Sequence, residues 1–183
     1  MKAITHKLLG RYIVENYFTN CPKHHVFAFL FGCIQPDRNP ATYLKGSLKN
    51  SWFHGHHYDS AKKFLSKLSD RLEKKKRFNI FDYYTLGKLI HYTSDAFTYA
   101  HNRHFPDNLT LHRNYETRLQ KYFSEYIKRP MLYCPPTQIS IKSLISSYHS
   151  DYIRRPANIM NDAKFTHCVC CLIVTILQTK QYN

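Results

Sequence analysis

Two histidine–carboxylate pairs, His91 with Asp95 and His112 with Glu116, stand four residues apart in the segment HYTSDAFTYAHNRHFPDNLTLHRNYE, residues 91–116. Side chains at that spacing share one face of an α-helix, so each pair presents an imidazole and a carboxylate in the same direction. His101 lies between the pairs. The segment therefore asks for two helices, each turning a polar, metal-competent face toward something other than water. Nitrogen and oxygen donors without thiolate are the ligand set of a hydrolytic zinc site, which holds the metal and leaves a position for water.

The rest of the chain supports an all-α fold. Its 183 residues are enough for one domain, 1–183, with a real core. There are only five glycines, and Leu, Lys, Phe and Tyr recur at helical spacing. A first helix is predicted over about Ile4 to Phe18 and a second from Pro22 through the buried run HVFAFLFGCI, ended by Gly32. Pro36 to Trp52, with Pro36, Pro40 and Gly46, reads as a functional loop. Asp59 or Ser60 is expected to cap a helix running to about Lys76. A central helix follows over about Phe81 to Ala100, and another over Leu109 to Lys128. A proline-bearing linker, Arg129 to Gln138, leads to helices near Ile141 to Ile153 and Asn158 to Gln178.

The net charge of +15 suits an anionic partner: a phosphate-bearing substrate, a nucleic acid or an acidic membrane surface. The run Glu73 to Arg77 reads most simply as a basic helix end. The N-terminus lacks the apolar core and cleavage site of a signal peptide, and a cytoplasmic location is expected. The most apolar run, Val169 to Leu177, is short of the roughly 20 residues that span a bilayer, so no transmembrane segment is expected. The six cysteines accordingly read as free thiols. Cys168, Cys170 and Cys171 fall in an apolar helix, as buried packing.

Further donors stand where a polynuclear site would need them. His6 lies on the first helix, Asp37 follows the buried second helix, and His54, His56 and His57 precede the next one. Together, ITH at His6, GCIQPDRNP at Asp37, GHHYDS at His56, HYTSDAFTYAH and HRNYE resemble the zinc-dependent phospholipases C. That family shares an all-helical fold and a three-zinc site with the fungal single-strand nucleases. The resemblance implies a multi-helix bundle enclosing a polynuclear metal site with two or three Zn2+. By carry-over, Asp37, His56, His91 and Asp95 would hold one zinc, and His101, His112 and Glu116 a second. His6 would hold a third together with Asp95, whose carboxylate bridges. The secreted members use an N-terminal tryptophan on that third metal where this chain has Met1, so the third metal is expected to be weakly held or absent.

The resemblance implies a phosphoric-ester hydrolase. Clustered divalent cations acidify water and neutralise charge on a pentavalent phosphorus, and Asp37 is the residue expected to orient or deprotonate the water. Three readings follow: a phospholipase C-like phosphodiesterase, a single-strand nuclease-like enzyme, and a non-catalytic zinc-binding descendant. An apolar rim would mark the first, base-stacking aromatics near the metals the second, and a metal position filled by protein the third.

Overall fold

A computed structural model describes residues 1–38, 58–106, 108–129 and 139–182. Among these residues every regular element is helical: α1 (Ala3–Tyr17), α2 (Lys23–Arg38), α3 (Tyr58–Glu73), α4 (Ile80–Ala96), a 3-10 turn (Tyr99–His101), α5 (Leu109–Tyr126), α6 (Ile141–Tyr152) and α7 (Ile159–Tyr182). The all-α expectation holds.

Local chemistry starts most of these helices where the sequence asks. Asn79 and Asp82 form a capping box at α4, the Asn79 side chain accepting from the Phe81 and Asp82 N–H groups. Asn108 caps α5 through Leu111 N–H and Ser140 caps α6 through Ser143 N–H. α3 begins at Tyr58, slightly ahead of the expected cap at Asp59 or Ser60. Most of the Pro36 to Trp52 loop and of the Arg129 to Gln138 linker lies outside the described residues, as does Cys134. The other five cysteines are free.

Two boundaries differ from the sequence reading. α2 does not stop at Gly32 but runs on to Arg38 with Pro36 inside it. Gly32 serves a crossing instead of a helix end. A Cβ there would fall on the Tyr84 carbonyl oxygen and within 3.1 Å of Gly87 Cα, while one at Gly87 would fall on the Phe29 carbonyl oxygen and 2.8 Å from Cys33 N. The two glycines let α2 and α4 approach backbone to backbone. Their registers rise together, His25 stacking on Tyr83 and Cys33 meeting His91, so the helices run side by side in the same direction.

The second difference is the end of α4, which closes at Ala96 rather than near Ala100. Side chains satisfy the exposed carbonyls there. Asn102 Nδ2 donates to Ala96 O and Thr98 O, and Thr98 Oγ1 donates to Ser94 O. The chain then makes the 3-10 turn, which ends in His101.

The core gathers around α4 and α7, with Leu9, Phe29, Leu72, Leu89, Phe97, Phe123 and Leu144 fully enclosed. α7 is longer than its apolar run suggested. Its stretch Ile159–Lys180 is long and apolar enough to cross a bilayer by length and composition, more than the run Val169 to Leu177 alone suggested. However, 67 % of that window is buried inside the protein, so in this fold it acts as the core helix.

Candidate metal centre

The centre is built on α4. Its His91 and Asp95 lie one turn apart on the stretch 89–96, where every residue is buried, and both are 0 % exposed. α1 brings His6 against them, and the last turn of α2 brings Asp37. Beyond Asp95, the 3-10 turn supplies His101, and α5 supplies His112 and Glu116.

Distances show one continuous cluster. Asp95 Oδ2 is 3.3 Å from His91 Nε2, while Oδ1 is 3.3 Å from His6 Nε2 and 3.7 Å from His101 Nε2. Asp37 spans the same two imidazoles from the other side, at 3.6 Å from His91 Nε2 and 3.9 Å from His6 Nε2. Glu116 Oε1 is 3.2 Å from both His101 Nε2 and His112 Nε2. Two groups of three donors are each compact enough for one ion: His6, His91 and Asp95, and His101, His112 and Glu116. Bonds of about 2.0–2.2 Å at tetrahedral angles set neighbouring donors about 3.3–3.6 Å apart, close to the spacing found.

The hydrogen bonds behind the donors aim their lone pairs inward. His91 Nδ1 is 2.9 Å from Cys33 O, an acceptor only, so Nδ1 carries the proton and Nε2 faces the centre bare. Ser94 Oγ donates to His91 O at 2.7 Å and therefore accepts from His6 Nδ1 at 3.0 Å. That leaves His6 Nε2 unprotonated, and among the described residues this buried atom has no hydrogen-bond partner. A buried nitrogen left without a donor is costly, and a metal ion would satisfy it. The stacked His6 and His91 rings, 3.9 Å between centroids, present their nitrogens in parallel.

Electrostatics favour the protonation states that metal ligands need. Burial, reinforced by the neighbouring His91, holds His6 below its ordinary pKa. Burial, opposed by Asp95 and Glu116, lowers His101 to about 4. Burial resists ionisation of Asp95, yet His101, the N-terminal ammonium, His6 and His91 hold its carboxyl well below the usual range. Glu116 is likewise held far down, burial being outweighed by the ammonium and by hydrogen bonds from His101 and His112. His6 and His101 are thus held neutral, and Asp95 and Glu116 ionised.

The Met1 amine occupies the space between the two halves, paired with Asp95, 3.2 Å from Glu116 Oε1 and 2.8 Å from His101 Nε2. Burial disfavours its charge, but Asp95, Glu116 and Asp37 together raise its pKa to about 10. A cation is therefore stable at this position. His6, His91 and Asp95 are buried, whereas His112 is 29 % exposed in its side chain. Among the described residues, Asp37 keeps 17 % of its side chain exposed on the other half, so each half has a donor in reach of solvent.

Seven of the eight residues anticipated from the sequence converge here. His56 lies outside the described residues, with His54 and His57. The histidines without motif support lie elsewhere. His149 is stacked on Tyr58, His167 is in the core, and His24 and His25 pair near the surface. Sequence reasoning missed the supports: Ser94 behind His6, the Cys33 carbonyl behind His91, and the Asn102–His149 bond of 3.0 Å beside His101. No local pattern marks them, because each joins residues distant in the chain.

No curated protein and no solved structure matches the chain. The family model for zinc-dependent phospholipase C matches residues 5–167, a span that contains His6, Asp37, His56 and every donor of α4, the turn and α5, and the chain belongs to that family.

Proposed function

We propose that the protein is a zinc-dependent phosphoric-ester hydrolase of the phospholipase C kind, cleaving a phosphodiester with water. The observation that carries this reading is the convergence of six nitrogen and oxygen donors in two groups at ligand spacing, with Asp37 alongside and His6 Nε2 buried without a hydrogen-bond partner among the described residues. His6, Asp37, His56, His91 and Asp95 would hold the first and third ions, and His101, His112 and Glu116 the second. Asp95, whose two oxygens face different imidazoles, would be the carboxylate shared between ions, and the Met1 amine would offer a further nitrogen once deprotonated. Zinc bound there would supply acidified water and positive charge beside a phosphoryl oxygen.

The chain's own groups do the rest. Asp37, 17 % exposed in its side chain, is the acid on the His6–His91 side that reaches toward solvent, and it would accept the proton of the attacking water. The buried neighbours of Asp95 exclude bulk water, which strengthens every charge–charge interaction inside. On the α5 side, Leu109 and Leu111 are 48 % and 49 % exposed beside His112. That apolar rim fits a lipid ester. Among the described residues, Phe105 is edge-on to His112 at 5.8 Å between centroids and is packed against Tyr99 and Tyr115, which ties its ring to the protein.

The test is elemental analysis of protein purified without chelator, with assays on phospholipid, single-stranded DNA and a soluble phosphodiester. Two or three zinc ions with release of a phosphorylated headgroup is the expected result. Less than one equivalent of any transition metal would overturn the proposal. Preferential cleavage of DNA would move it to the nuclease-like reading, and full metal content with no turnover to a binding role.

A further inference from the structure

Asp162, in the first turn of α7, is a fully buried acid that the metal chemistry does not use. Its carboxylate accepts three hydrogen bonds. Oδ2 takes the Tyr99 backbone N–H at 2.9 Å and the Tyr115 hydroxyl at 2.8 Å, and Oδ1 takes the Tyr152 hydroxyl at 2.8 Å. These partners come from three segments. Tyr99 opens the 3-10 turn that ends in His101. Tyr115 sits on α5 immediately before Glu116, and Tyr152 is the last residue of α6.

We propose that Asp162 is the positioning residue of the half-site made by His101, His112 and Glu116. The proposal rests on that half-site holding a metal, as the proposed function requires. A 3-10 turn of three residues has little hydrogen bonding of its own to hold a ligand in place. Asp162 caps that turn from outside, giving Tyr99 N–H the acceptor that Thr98 does not provide, because Thr98 makes no side-chain cap bond. The same oxygen holds the Tyr115 hydroxyl, so turn and helix are fixed to a single atom. Asn102 secures the other end of the turn by its bonds to Ala96 O and Thr98 O. His101 is thereby clamped on both sides, while Glu116 and His112 are oriented through Tyr115 on their own helix.

Outer-shell partners of metal ligands typically change affinity 10–100-fold when removed. Asp162→Ala in the full chain should weaken one zinc by about that factor and leave the other unchanged. It should be the same ion that His101→Ala loses, so the double variant should bind no worse than His101→Ala alone. Asp162→Asn should rescue. Its carbonyl can take the place of Oδ2, and its NH2 can donate to the Tyr152 hydroxyl, which also accepts. Tyr115→Phe, which removes one bond of the three, should weaken the same ion by less than 10-fold.

Zinc titration with circular dichroism as the folding control reads all five variants. Asp162→Ala binding both ions like the wild type, or losing both equally, overturns the proposal. So does an Asn variant as defective as the Ala variant, since the effect would then belong to the charge. If Asp162→Ala does not fold, an unaltered zinc affinity in Tyr115→Phe overturns it instead. Wild-type protein that takes up no metal would sink the hydrolase reading, whereas loaded wild type with insensitive variants would sink this inference alone.

Discussion

Replacing Gly87 by Ala should damage both the fold and the centre, and the structure sets the size of the effect. The new Cβ would fall on Phe29 O and 2.8 Å from Cys33 N, both backbone atoms of α2 that no rotamer change can move. Restoring ordinary contact requires α2 and α4 to part by about 1 Å. Overpacking of this sort costs about 1–3 kcal/mol, the upper end applying to backbone collisions, and the better helix propensity of Ala recovers about 1 kcal/mol. A net loss of about 2 kcal/mol follows. The same movement stretches the 2.9 Å bond from His91 Nδ1 to Cys33 O beyond hydrogen-bonding distance. Zinc affinity should then fall by about 10-fold or more. Gly10→Ala is the control, because its Cβ would meet Cys33 Sγ and Leu30 Cδ2 at 3.2 Å, side-chain atoms that can yield. Urea unfolding of the zinc-free chain measures the first effect and zinc titration the second. A Gly87 variant as stable as the Gly10 variant, with its zinc affinity intact, would refute the close-crossing argument.

Asp95→Ala should remove more metal than His101→Ala, since the Asp95 oxygens face imidazoles of both halves; equal losses in elemental analysis would rule out a bridging carboxylate. Chelation should abolish ester hydrolysis while the far-ultraviolet dichroism stays nearly constant, because the enclosed core of α4 and α7 does not depend on the ions; parallel loss of helix and activity would show the metals to be structural. Acid should destabilise the zinc-free protein through His167, whose pKa burial lowers to about 4. An unfolded imidazole protonates near pH 6.5 and the folded one only near 4, so the unfolded state binds more protons and stability falls as pH drops through that window. His167→Gln should flatten this part of the urea-measured profile, against the opposite trend from Asp162, whose pKa burial raises to about 6. An unchanged slope would contradict it.

The helical class, the order of the helices and the four-residue ligand pairs could be read from the sequence, because helical periodicity is local: it states which residues share a face. His91 with Asp95 and His112 with Glu116 needed nothing beyond that rule, and the resemblance added His6 and Asp37. Periodicity does not state which face meets which. Gly32 carried the signature of a helix end, yet its missing side chain serves the crossing with Gly87, a contact between residues far apart in the chain. The pattern predicts a central helix to about Ala100, just short of His101, but the Asn102 and Thr98 side chains close it at Ala96 and set the histidine on a turn. Asp162 resembled any acid at a helix start, favoured there by the dipole. Only the packing of α7 against α5 and the turn brings its carboxylate to Tyr99 and Tyr115. Residue types and spacing thus determined which groups can bind a metal, while long-range contacts decided how those groups are aimed, because the direction of a lone pair depends on partners that come together only when the helices pack.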